Sequence, residues 1–146
     1  AIGSYIARIW RIFDVRFEHY PPLWAPWLLA LAAYANFFTH HYVADVRWGL
    51  FAFSALIFWR TRFTFTPDRA VRWMPMILGA LLVALFIWIA ENLGTFANAW
   101  IYPDQAAGWR MVGLAKLGSW YLLIMLSFVL VSLVHRPEQA ERQAPP

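Results

Sequence analysis

The chain has 146 residues, of which 62% are hydrophobic, 19% aromatic and only 14% charged, with a formal net charge of +4. A soluble domain carries about 45–50% apolar and about 25% charged residues, so this chain holds more apolar surface than a water-bound sphere of its size can hide. The composition excludes disordered, collagen-like and disulfide-scaffold chains, and the lack of cysteine excludes thiolate metal sites and cysteine nucleophiles.

The N-terminal stretch AIGSYIARIWRIFDVRF sets Ile2, Ile6, Ile9 or Trp10, Phe13 and Phe17 at helical spacing, with Arg8, Arg11 and Glu18 elsewhere. It predicts either an interfacial amphipathic helix or the last turns of a longer, truncated helix. Tyr20 to Val43 contains no Asp, Glu, Lys or Arg and predicts a first membrane span, with Pro21 and Pro22 at its start. The run Trp48 to Trp59 predicts a second span; its length of about 18 Å is short, and the flanking Arg47, Arg60 and Arg62 extend it by snorkelling. Trp73 to Ala90 predicts a third, running from about Met74 to about Asn98 and expected to be the longest and most enclosed. Leu117 to Val134 predicts a fourth, beginning near Arg110. The fold class expected is all-α: a polytopic transmembrane bundle of about four spans plus the N-terminal helix. It forms one domain over 1–137, followed by a polar tail over 138–146.

The basic residues sort by side. Arg8, Arg11, Arg16, Arg60, Arg62, Arg69, Arg72, Arg136 and Arg142 fall in segments that must share one side, and Arg47 and Arg110 in the opposite loops. The positive-inside rule then puts both termini in the cytoplasm and the 40–47 and 98–110 loops outside. The positive charge is explained by topology, and no basic domain stands free for nucleic acid. Trp24, Trp27, Trp48, Trp59, Trp73, Trp100, Trp109 and Tyr102 cluster near span ends, as an aromatic belt at headgroup depth would.

Charges inside lipid are costly and usually face a protein interior or a site. Glu91 in the third span and Lys116 in the fourth both fall roughly 10 Å below the outer surface. On adjacent antiparallel helices they would lie at matching depth and ease each other's desolvation, as a structural lock or as part of a site. Thr95 and Asn98 follow Glu91 on one helical face, with Asn92 beside it; Lys116 and Ser119 are three apart, and Asn36 and His40 four apart. Gly94, Gly108, Gly113 and Gly118 would permit close approach of backbones or a ligand. The loop WIYPDQAAGW, with Trp100, Tyr102, Asp104, Gln105 and Trp109, is a plausible lid. His40 and His41 point about 100° apart on a helix, which suits an interfacial pair better than a shared metal, and no metal site is expected.

YIARIWRIFDVRFEHYPPLWA, NFFTHHY, LVALFIWIAENLGTFANAWIYPDQAAGW and LAKLGSWYLLIMLSFVLVSLVHRP resemble the C-terminal half of the bacterial integral-membrane family known as domain of unknown function 817, from about Ile2 to Pro137. The resemblance implies an earlier membrane half in longer members, with its own Glu, a Lys-Thr pair and a Trp-x-Tyr-Pro tail similar to Glu91, Thr95 and Trp100–Pro103. It further implies an internal duplication with a site between the halves. It implies no activity. A looser likeness, an intramembrane Glu followed by Trp-x-Tyr at the span end, is to membrane carotenoid cyclases and hydratases, at fold level alone.

Three functions compete. The first is a multi-pass bacterial inner-membrane protein with an outward-facing polar pocket for a small or lipophilic ligand. The second is a structural subunit packed, among membrane lipids, against other membrane subunits or a missing N-terminal half in a photosynthetic or respiratory complex. The third is an enzyme on an isoprenoid or lipid, with Glu91 as proton donor. The sequence names no cofactor.

Overall fold

Among the described residues each of the four predicted spans contains a helix, and short strands tie the helices together at one end. The computed structural model describes residues 2–39, 42 and 46–135. In chain order these form α1 (Ile2–Ile12), β1 (Arg16–Glu18), α2 (Trp24–Thr39), α3 (Arg47–Phe58), β2 (Arg62–Phe65), β3 (Arg72–Pro75), α4 (Met76–Phe96) and α5 (Leu114–His135). A single 3₁₀ turn, Pro103–Gln105, lies between α4 and α5. His40, His41 and the 138–146 tail lie outside the described residues.

At about 1.5 Å per residue, α4 and α5 are about 31 and 33 Å long, enough to cross a hydrocarbon layer of about 30 Å. These two helices have the length and composition to cross a bilayer; α3 is apolar but shorter. The third predicted span is neither the longest nor the most enclosed. Of the membrane-length stretch of α4 only 22% is buried, against 39% in α5. The reason is position: α5 packs against α1, α2 and α4, whereas α4 packs mainly on α5, with lesser contacts to α3 and β3. Helix α4 also stops at Phe96. Asn98 takes a left-handed φ of 56°, and the N–H of Ala99 turns back to the carbonyl of Gly94 at 2.9 Å. Helix α5 starts at Leu114 because the preceding residues belong to the loop.

The three-stranded sheet is not part of the all-α expectation. Its order is β1-β2-β3, antiparallel throughout, with Phe17 opposite Phe63 and Phe63 opposite Met74. Alternation along the strands turns Phe17 and Phe63 toward the helices and Arg16, Arg62, Thr64 and Trp73 to the other face. Phe17 is fully buried against Trp10, Tyr20 and Phe128. Gly79, in the first turn of α4, admits the Phe63 ring; a Cβ there would come within 2.7 Å of Cε1. Thr61 joins three elements: its hydroxyl donates to the His19 carbonyl at 3.1 Å, and its carbonyl accepts the Met76 N–H at 2.9 Å.

At the opposite end Asn36 Oδ1 accepts the Val46 N–H at 3.1 Å, and the Arg47 guanidinium donates to the Ala115 carbonyl at 3.2 Å. Helices α2 to α5 therefore alternate in direction, with the sheet at one end and the 97–113 loop at the other. Helix α1 meets the last turns of α5, where Trp10 stacks on Phe128 at 5.8 Å and Gly3 lies against Val131. The polar residues in this core are paired: Ser54 with Tyr121 at 2.9 Å, and Tyr20 with Ser132 at 3.1 Å.

Candidate functional site

Met76, Ala80, Ala84, Glu91 and Thr95 are the buried residues of α4. They form one stripe, and its small members let α5 approach closely. Glu91 carries a carboxylate into the same seam and is only 4% exposed. The chain then reverses at Asn98 and folds back over the end of α4. Trp100 settles on Gly94, where a Cβ would overlap its ring. The buried Gln105 braces the turn: its Oε1 accepts the Tyr102 N–H at 3.2 Å, and its Nε2 donates to the Arg110 carbonyl at 2.6 Å.

That bracing directs the Tyr102 hydroxyl to Glu91 Oε1, to which it donates a short hydrogen bond. The other oxygen, Oε2, accepts the indole N–H of Trp120 on α5 at 2.8 Å. One carboxylate thus ties the loop to both long helices. A second layer lies beside it. Trp109 donates to the Thr95 hydroxyl at 3.2 Å, and that hydroxyl donates to the Asn92 carbonyl at 3.1 Å. Asn92 accepts the Val112 N–H at 2.8 Å, while Trp88 donates to the Val112 carbonyl at 3.0 Å. Both backbone groups of Val112 are therefore satisfied by α4 side chains, which fixes the loop just before α5 begins.

The expected ion pair between Glu91 and Lys116 does not form. Lys116 is exposed, and its Nζ sits 4.5 Å from the centroid of the Tyr102 ring. It lies one helical turn before Trp120 on nearly the same face of α5, one turn nearer the loop, so the deeper indole meets Glu91 and the ammonium lies on the Tyr102 ring at the rim. Among the described residues Glu91 has no cationic partner; its hydrogen bonds come from neutral donors. The Tyr102 hydroxyl titrates above its ordinary value of 10.0, first because of the hydrogen bond it gives Glu91, then because of burial.

The structure thus brings together Glu91, Asn92, Thr95, Trp100, Tyr102, Gln105 and Trp109 from the expected set. Lys116 stands at the rim, and Asp104 is exposed in the 3₁₀ turn. Asn98 is exposed and serves the helix end. Ser119 bonds the Ala115 carbonyl of its own helix at 3.1 Å, and Asn36 joins α2 to α3. His40 lies outside the described residues. Trp88 and Trp120 were missing from the expectation. Each sits four residues from a polar residue that was singled out, Asn92 and Lys116, and that spacing was the available signal. Among the described residues no buried side-chain N or O lacks a partner.

Residues 1–128 match the family described as "Protein of unknown function (DUF817)". The chain is also 40% identical over 145 residues to "Uncharacterized protein YoaT" of Bacillus subtilis (strain 168), an alignment covering 99% of this chain and 54% of that protein. It therefore spans about half the length of that curated relative. No solved structure matches. On a family match that extends from the first residue through most of α5, the chain belongs to the DUF817 family of proteins of unknown function.

Proposed function

We propose that this chain is a multi-spanning bacterial inner-membrane protein that binds a small or lipophilic ligand beneath the 97–113 loop. Helices α4 and α5 cross the bilayer fully. Helices α2 and α3 complete a four-span bundle, with arginines and tryptophans at their ends making up the missing length. Leu81, Val83, Phe86, Ile89 and Leu93 of α4 are exposed, a surface suited to lipid. The sheet end carries most of the arginines and faces the cytoplasm, and the loop end faces out. A thiol at exposed Ala107 should then react with an impermeant maleimide in intact cells, and one at exposed Ala70 only after permeabilisation. The reverse pattern would invert the topology.

The observation that carries the binding reading is the Glu91 carboxylate, buried in an apolar bundle and held by two neutral donors, one of them on a loop. An isolated acid at that depth is costly and marks a site by default. Withdrawal of Tyr102 would free one oxygen toward the outside while Trp120 keeps the other. Native mass spectrometry of gently solubilised protein tests this. The wild type should retain a small bound molecule that Glu91→Leu loses; a ligand-free wild type refutes the reading.

One observation favours a second reading, a structural unit of a larger membrane assembly: the little-buried flank of α4. Cross-linking from Phe86 to another membrane protein in native membranes would support it.

A further inference from the structure

The sheet end holds a second candidate site, unrelated to Glu91. Trp59 closes α3 and is 72% exposed, and Trp73 on β3 is 59% exposed. Each carries an arginine on its ring: Arg60 at 5.8 Å from the Trp59 centroid and Arg62 at 4.5 Å from that of Trp73. The two arginines flank Thr61, which is buried and anchored to His19 and Met76. Both are thereby held on the outside of a fixed backbone.

What these arginines do not bind is informative. Glu18 stands directly opposite Arg62 in the sheet register, yet Arg62 turns to Trp73. The ion pairs at this end among the described residues are Arg16 with Asp14 and Arg72 with Asp68. These consume two acids and, among the described residues, leave Arg60, Arg62 and Arg69 without a counter-ion. A guanidinium lying on an indole face keeps its N–H edge free, and that edge matches a phosphate bidentately. The indoles prefer headgroup depth, and arginines beside a membrane attract its anionic lipids.

We infer that Trp59–Arg60 and Arg62–Trp73 form a seat for the phosphate of an anionic glycerophospholipid in the cytoplasmic leaflet. The inference rests on the membrane reading above. The charge is excess, it is oriented, and it lies beside aromatic rings at the ends of the apolar segments. A zwitterionic lipid offers the same phosphate with a cation attached, which the surplus arginines repel.

The test is native mass spectrometry of the purified chain titrated with phosphatidylglycerol or phosphatidylcholine. The wild type should prefer phosphatidylglycerol. Each arginine removed should lower that preference about fivefold, so R60Q/R62Q loses about twenty-five-fold, the equivalent of about 1 kcal/mol per arginine near a charged leaflet. R60K/R62K should recover part of the preference through charge but not the bidentate share. An unchanged thermal melt shows that R60Q/R62Q still folds. Equal wild-type affinity for the two lipids, or an undiminished preference in R60Q/R62Q, overturns the inference. Alkaline carbonate extraction separates this from failure of the membrane reading: release of the wild type from membranes would refute that reading, whereas retention with no lipid preference refutes the seat alone.

Discussion

Tyr102→Phe removes one hydroxyl from the junction of loop, α4 and α5 and leaves the ring that Lys116 covers. In soluble proteins a hydrogen bond to a charged group contributes about 1.5–3 kcal/mol. Between helices inside a membrane the average is about 0.6 and the maximum about 1.7 kcal/mol. Glu91 lies one and a half turns from the end of α4, between these regimes, so the expected loss is about 1–2 kcal/mol. At about 3–4 °C per kcal/mol for a chain of this length, the melting temperature in detergent should fall by about 3–8 °C. Lys116→Met removes only a cation–π contact and should cost about 0.5–1 kcal/mol. Glu91→Gln should be mild, because its carbonyl can take the Trp120 N–H while its amide donates to a reoriented Tyr102 hydroxyl. Glu91→Leu leaves two polar groups without an acceptor, at about 1–3 kcal/mol each. Melting followed by tryptophan fluorescence gives the two double-mutant cycles. The Tyr102–Glu91 coupling should exceed the Lys116–Glu91 coupling. A Lys116–Glu91 coupling as large or larger would restore the ion pair and refute the reading of Tyr102 as the partner of Glu91.

Glycine substitutions separate close contact from helix propensity. Gly94→Ala drives a methyl into the Trp100 ring and should destabilise by about 1–3 kcal/mol, with a changed Trp emission as the loop lifts. Gly49→Ala, in α3 with nothing within 4 Å of the new Cβ, should instead stabilise by about 0.5–1 kcal/mol through helix propensity and so raise the melting temperature. Because the folded Tyr102 hydroxyl titrates above 10.0, its contribution is complete below the unfolded value and disappears as pH rises through the folded one. The loop should therefore loosen above pH 10, seen by quenching of Trp100 and Trp109, and Tyr102→Phe should abolish that pH-dependent step.

The parts of this fold that were legible in the sequence are those governed by long-range composition. Two uncharged runs of 18 residues announced α4 and α5, since few structures other than a buried or membrane helix tolerate that length without a charge. What escaped was decided by one helical turn. Glu91 continues the stripe of Met76, Ala80 and Ala84 and meets Trp120 of α5, whereas Lys116, one turn earlier on nearly the same face of α5, stays at the rim on the Tyr102 ring. Helical spacing puts Lys116 and Trp120 on nearly one face and leaves open which of them stands level with Glu91, and an indole N–H satisfies a carboxylate oxygen as well as an ammonium does. The sheet escaped for a different reason. VRFE and RFTF alternate apolar and polar residues over four positions, a strand pattern too short to outweigh the helical spacing read through residues 2–17 or the span ends around Arg60 and Arg62. Its register depends on partners about 45 residues apart in sequence, Phe17 with Phe63, which no local pattern specifies. Both omissions bear on the candidate sites: the sheet holds Arg62 against Trp73, and Trp120 holds the second oxygen of Glu91. The two candidate sites are thus built from residues whose roles appear only when distant segments meet.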